Sequence, residues 1–129
     1  SDVPSNFKVA VVDVQQVVAS SAQVKALKKE QQAKTEEVIK YIDKARKDVA
    51  SVSDEKKKKA LEDKYNKELV TKRETLEKDY ATKLQAIDKN ISSTIETQAK
   101  AKNYNVVLAK GVVLYGGDDI TADIVKIVK

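Results

Sequence analysis

Apolar residues between Leu61 and Ile95 recur at Leu61, Tyr65, Leu69, Leu76, Tyr80, Leu84, Ile87, Ile91 and Ile95, in steps of three, four or, across Arg73, seven. That is the periodicity of one helix carrying one narrow apolar stripe. Tyr65, Leu76 and Ile87 stand eleven apart, as do Leu69, Tyr80 and Ile91, so the stripe predicts a nearly straight or gently right-handed path. Five acid-to-lysine pairs four apart support the helix: Glu55/Lys59, Asp63/Lys67, Glu68/Lys72, Glu74/Lys78 and Asp79/Lys83. Each adds only about 0.2–0.5 kcal/mol. A helix this long with so thin a stripe needs a partner to lie against.

The pattern before it supplies one. Phe7 to Val14 is short, β-branched and apolar on both faces, which predicts a buried strand. A first helix follows directly, its stripe running Val14, Val17, Val24 and Leu27, skipping the polar Gln31 and Lys34, and resuming at Val38, Ile42, Ala45, Val49 and Val52. The phase shift near Val38 predicts a bend or a change of partner. Ser51-Val52-Ser53-Asp54-Glu55 interrupts the pattern and offers a new N-cap, so the chain is expected to reverse there into an antiparallel hairpin. Its two arms, about 60 and 70 Å long at ~1.5 Å per residue, would put Lys56, Lys57, Lys58 and Lys59 at the far tip. One unbroken helix dimerising along its length is the less favoured alternative.

After Asn103 the apolar runs Val106–Ala109 and Val112–Tyr115 flank Lys110-Gly111 and predict a β-hairpin. Gly116-Gly117-Asp118-Asp119 reads as turn and cap, and Ile120, Ile124, Ile127 and Val128 as a short closing helix. The expected fold is therefore mainly α with a small β body: a long antiparallel helical arm, residues 24–102, on a short three-stranded base with a C-terminal helix, residues 1–23 and 103–129. A base of that size is below the ~60 residues at which a lone core becomes comfortable. It is expected to oligomerise, several copies pooling Val9, Val11, Val107, Val113 and Leu114. Ser1 to Asn6 reads as a disordered lead-in.

Composition changes the picture by exclusion. The chain is 35% charged and 5% aromatic, with three glycines and one proline, as in long helices and coiled coils. It has no Cys, Met or His, which removes disulfides, thiolate nucleophiles and the usual neutral-pH base, and no metal or cofactor is expected. No run of about 18 apolar residues could span a bilayer, and no basic, apolar leader opens the chain. Asp13 at a strand end is the one acid of catalytic interest, and a helix cap explains it better. Gly116-Gly117 lacks the spacing of a phosphate loop. No enzyme is expected.

Charge is uneven. Residues 24–102 hold 21 Lys/Arg against 15 Asp/Glu, the remainder 4 against 5, and between Lys40 and Arg73 the count is 12 against 7. A pI near 9.2 would attract phosphate backbones. Only Arg46 and Arg73 are arginines, however, and no aromatic platform interleaves the lysines, so specific nucleic-acid recognition is not expected. Non-specific nucleic-acid binding or a structural adaptor role remains the alternative.

The strand Val-Ala-Val-Val-Asp-Val-Gln-Gln-Val-Val, the charged hairpin with its Ser-Asp turn and the closing Asp119-Ile120-Thr121-Ala122-Asp123-Ile124-Val125-Lys126 together resemble the Skp/OmpH family of periplasmic chaperones. The likeness covers essentially the whole chain, and the closing segment is its most specific part. It implies a homotrimer with a β-rich body and three helical arms around a cavity. Such an assembly holds unfolded outer-membrane proteins in the periplasm without ATP. It also implies a mature chain from which a signal peptide has been removed. Weak contact of the basic chain with an anionic membrane surface is a further expectation. The family's lipopolysaccharide-binding cluster uses paired arginines on the second arm; Asp79 to Lys89 keeps only scattered lysines such as Lys83, so that site is not carried over. The candidate client-binding residues are Lys44, Arg46, Lys47, Lys56, Lys57, Lys58 and Lys59. Tyr41 and Tyr65 join them, although at stripe spacing an aromatic more often packs between arms.

Overall fold

The computed structural model describes residues 6–129, and the expected lead-in over residues 1–6 lies, save for its last residue, outside them. The elements run β1 (Val9–Val12), α1 (Val14–Ser20), α2 (Ala22–Ala50), α3 (Glu55–Ala101), β2 (Val106–Ala109), a 3-10 turn (Lys110–Val112), β3 (Asp118–Asp119) and α4 (Thr121–Ile127). Packing divides the chain into two units, Ser1–Ala26 with Leu84–Lys129, and Leu27–Lys83. The helices α2 and α3 contribute to both.

In the first unit β1 is the central strand of a three-stranded sheet, order β2-β1-β3, parallel throughout. Val9 to Val12 face Val106 to Ala109 on one side, and Ala10 and Val11 face Asp118 and Asp119 on the other. A β-branched strand covered on both faces is what parallel pairing demands, and Ala10, Val11 and Val12 are all buried. The expected hairpin of Val106–Ala109 with Val112–Tyr115 does not form. With β1 flanked on both edges by strands of its own direction, the chain after β2 must cross to the opposite edge before it can pair again. Val112 to Tyr115 is that crossing segment, and the polar pair Asp118–Asp119 is the third strand. Lys110-Gly111 enters a 3-10 turn instead of the two-residue turn that a hairpin needs.

The expected single first helix is also broken, at Ser21, and α2 then runs without interruption through Val38. Ser21 is extended, with φ −72 and ψ 122, and completely buried. Its hydroxyl accepts from Val24 N at 3.2 Å, capping α2, and donates to the Lys129 carbonyl. The cap on α2 and the bond to Lys129 together fix Ser21 outside the helix and end α1 after two turns, and α1 packs against α4. Asp13 caps α1 as expected, its Oδ1 accepting from Gln16 N at 3.1 Å. At the far end of α3, Asn103 takes φ 62; Tyr104 N donates to Ala99 O at 2.9 Å and Asn103 N to Lys100 O at 3.0 Å. This paired closure satisfies the last carbonyls and swings the chain into β2.

The closing segment latches this unit. Asp119 Oδ1 accepts from Thr121 N at 3.0 Å and from the Thr121 hydroxyl, which itself accepts from Asp13 N at 2.9 Å. Asp123 pairs with Lys102 at the end of α3. Ile120 and Ile124, between these polar anchors, are buried with Val12 and Val17. Thr121 holds the Asp119 carboxyl below the usual range, and Lys102 does the same for Asp123. The residues that make this segment recognisable in sequence are therefore framework, tying α4 to β1, β3 and α3.

The second unit is the helical hairpin. Glu30 pairs with Lys83, Lys34 with Asp79, Tyr41 with Glu68 and Asp48 with Tyr65, so partner numbers fall as the others rise and the helices run antiparallel. No side chain from Lys28 to Lys83 is fully buried: the stripe residues Val38, Ile42, Val49, Leu61, Leu69, Leu76 and Tyr80 are all half-covered.

Candidate functional site

The polar interruption at Gln31 and Lys34 becomes intelligible in the hairpin. Lys34 Nζ lies 3.0 Å from both Glu30 and Asp79, and Lys83 Nζ 2.5 Å from Glu30 and 3.6 Å from Asp79. Two i,i+4 pairs, one per helix, interlock into a square of alternating charge. Hydrogen bonds from Lys83 and Lys34 hold the Glu30 carboxyl below its ordinary range, and Lys34 holds Asp79 down in the same way. Bonding to Glu30 and Asp79 raises Lys34. One register pairs all four groups, so the layer aligns α2 with α3. Of the five acid-to-lysine pairs predicted along α3, Asp79/Lys83 is closed, and Lys59 reaches forward to Asp63 at 3.9 Å.

Toward the turn, Tyr41 and Tyr65 meet edge to face, centroids 5.7 Å apart at 71°. The Tyr41 hydroxyl donates to Glu68, the Tyr65 hydroxyl donates to Asp48, and Lys72 Nζ stands 4.7 Å from the Tyr41 ring centre. Burial and the Glu68 bond push the Tyr41 phenol up to about 12, while the Asp48 bond and burial raise Tyr65. The tyrosines pack between the two helices while keeping ring surface at a groove.

That groove has a volume of about 590 Å³. Ile42, Ala45, Val49, Leu69 and the two tyrosine rings form its apolar wall, and Arg46, Lys58, Arg73 and Glu62 its charged rim. Of the sequence candidates, Tyr41, Arg46, Lys58 and Tyr65 come together here. Lys44, Lys47, Lys56, Lys57 and Lys59 are exposed outside it. Arg73 was absent from the candidates although it lies opposite the first helix's stripe. The signal was available, because it interrupts an apolar stripe where the groove needs a charge at its rim. Lys56 to Lys59 occupy the opening turn of a 47-residue helix, where the macrodipole disfavours cations, so their clustering does not serve helix stability.

The oligomerisation candidates occupy several environments. Val11 is 5% exposed within one chain. Val9, Val107 and Val113 are half-buried and Leu114 is fully exposed. Beside Leu114, Val112 and Tyr115 are exposed as well, and the outer edge strand β2 exposes Val106 and Leu108. Among the described residues, no group of side chains is arranged to hold a metal, and no helix is long and apolar enough to cross a membrane.

A family model for outer membrane protein (OmpH-like) matches residues 8–128. The chain belongs to the OmpH-like family. The match spans β1 to α4 and so includes the sheet, the hairpin and the latch. The crystal structure of an OmpH-like protein from Caulobacter crescentus CB15, a candidate outer membrane chaperone, shares the fold at a TM-score of 0.60 and 14% identity, over 98% of this chain and 86% of that one. No curated protein sequence matches.

Proposed function

We propose that this OmpH-like chain is a holdase chaperone that keeps unfolded outer-membrane proteins from aggregating in the periplasm, by binding and without ATP or other catalysis. The observation that carries this reading is the half-open hairpin. Over residues 28–83 an apolar stripe is covered only partly, beside a surface rich in lysine. A stable two-helix pair ordinarily buries its seam. One that leaves it accessible, framed by cations, can hold apolar and acidic stretches of a client at many weak points without fitting one sequence. Family membership and the neighbour's description as a candidate outer membrane chaperone support the same reading.

In this reading residues 1–23 and 103–129 form the oligomerising body and residues 24–102 the client-holding arm, the chain assembling as a homotrimer. The support for assembly is the exposed apolar run Val112, Leu114 and Tyr115 next to an edge strand, β2, whose Val106 and Leu108 are partly exposed. Weak attraction of the basic arm to an anionic membrane surface accompanies the role.

The test is light scattering from a urea-unfolded β-barrel protein diluted into buffer. Wild type is expected to suppress aggregation near one oligomer per client. Single changes among Lys56 to Lys59 should be nearly silent, since an exposed ion pair contributes at most about 1 kcal/mol. Reversing all four to Glu should slow capture of an acidic client, most clearly at low salt, where the screening length exceeds the ~10 Å of 0.1 M buffer. Failure of wild type to suppress aggregation refutes the function. Equal suppression by the reversed variant at every salt concentration removes the tip lysines from it.

A further inference from the structure

We propose that the groove rimmed by Arg46, Lys58 and Arg73 is a subsite for one kind of client segment: extended chain with acidic residues at about every third position among apolar and aromatic ones. This rests on the chaperone reading and gives it a sequence preference.

The argument begins with residue choice. Only two of the 25 cationic side chains are arginines, and both stand on this groove. Guanidinium differs from ammonium in gripping a carboxylate with two parallel hydrogen bonds and in lying flat on aromatic rings. Among the described residues, neither arginine nor Lys58 has a carboxylate within 4.0 Å, although lysines elsewhere on the hairpin are paired. Glu62 is the single acid on the rim, so the groove carries a positive excess beside its apolar wall. With the tyrosine hydroxyls engaged by Glu68 and Asp48, the rings offer apolar edges and faces to the groove and no free donor. The volume is within the ~300–1,000 Å³ of ordinary ligand sites.

Spacing supplies the periodicity. On α3, Lys58 and Arg73 are 15 residues apart, about 22 Å along the axis. Asp48 bonds Tyr65 and Tyr41 bonds Glu68, which places Arg46 of α2 level with residues 65–68, close to midway. The three cations thus follow one another at roughly 11 Å, the length of about three residues of extended chain. A segment laid along the groove with an acid every third residue can meet all three cations, while the residues between its acids lie against Ile42, Leu69 and the tyrosine rings.

The probes are three dye-labelled peptides of one length: a (Glu-Phe-Val) repeat, the same residues with the acids gathered in one block, and the repeat with Gln for Glu. Binding to the full chain is read by fluorescence anisotropy. The spaced acidic repeat is expected to bind tightest. Arg46→Gln with Arg73→Gln should weaken it ~10-fold or more and leave the Gln peptide unchanged. Lys28→Gln with Lys29→Gln, the same charge loss on exposed positions outside the groove, should change it less than ~2-fold. Circular dichroism checks that all variants keep their helicity. Equal losses in both double variants, or equal binding of blocked and spaced peptides, would show general charge attraction and overturn the subsite. Arginine-dependent binding of phosphatidylglycerol vesicles with no arginine dependence for the peptides would overturn it in favour of lipid. If wild type suppresses client aggregation while the peptides bind independently of the arginines, the subsite falls and the chaperone stands; if wild type suppresses nothing, the chaperone reading itself falls.

Discussion

Gly117 and Gly116 offer a matched pair of perturbations in the turn that leads into β3. Both have left-handed backbones, φ +82 and +88, but a Cβ on Gly117 would lie 2.6 Å from Val11 Cγ2, whereas a Cβ on Gly116 meets nothing within 4 Å. Gly116→Ala therefore meets only the backbone cost of an L-residue in that region, about 1–2 kcal/mol. Gly117→Ala adds an overlap of roughly 1 Å with the middle of β1, which cannot retreat because it pairs with β2 and β3 on both edges. Overpacking of this kind costs about 1–3 kcal/mol, for a total of about 2–5 kcal/mol, against a whole-domain stability of about 5–15 kcal/mol. At about 4 °C per kcal/mol for a chain of this length, Gly117→Ala should lower Tm by roughly 8–20 °C and Gly116→Ala by roughly 4–8 °C. The assay is thermal unfolding by circular dichroism at one fixed protein concentration, since assembly would make Tm depend on it. Combining Gly117→Ala with Val11→Ala should recover the steric share relative to Val11→Ala alone. Equal losses at the two glycines, or no recovery in the double variant, would refute the argument that β3 is held by close approach of the Gly117 backbone to Val11.

Two further outcomes follow from the same geometry. Leu114→Asp should lower the oligomer mass in sedimentation with helicity intact, because Leu114 is uncovered in the single chain; Val11→Asp should instead destroy the fold, since it buries an unpaired charge at a cost of several kcal/mol, and an unchanged mass for Leu114→Asp would place assembly elsewhere. The raised Tyr41 phenol binds its proton more tightly in the folded hairpin than in the unfolded chain, so its contribution is complete below pH ~10 and is lost as pH rises toward about 12. Alkaline unfolding should therefore steepen over that interval, and Tyr41→Phe should reduce this steepening, leaving the share of Tyr65 and Tyr104, whose phenols are raised as well; an identical pH profile in the variant would contradict it.

The long stripe from Leu61 to Ile95 was sufficient to determine α3, because a 3.6-residue period of apolar side chains over many turns admits no other regular structure. The reversal at residues 51–54, the Asp13 cap and the strand character of Val9–Val12 were equally local, each set by residues within a few positions of one another. The direction of strand pairing was not. Val106–Ala109 and Val112–Tyr115 have the apolar patterns of two strands, but which edge of β1 each can reach depends on the path of a chain that leaves β1, traverses the entire helical hairpin and returns. That path makes β2 parallel and turns Val112–Tyr115 into a crossing, a constraint invisible in any short window. Ser21 likewise looks like an ordinary helical position until the Lys129 carbonyl, 108 residues away, arrives to take its hydroxyl. The candidate site divides in the same way. Sequence located the basic segment and both tyrosines, whereas the antiparallel register, fixed by Glu30, Lys34, Asp79 and Lys83, decided that Arg46 and Arg73 share a groove. Charges 27 residues apart along the chain become neighbours only when two helices are aligned, and alignment is a property of paired surfaces.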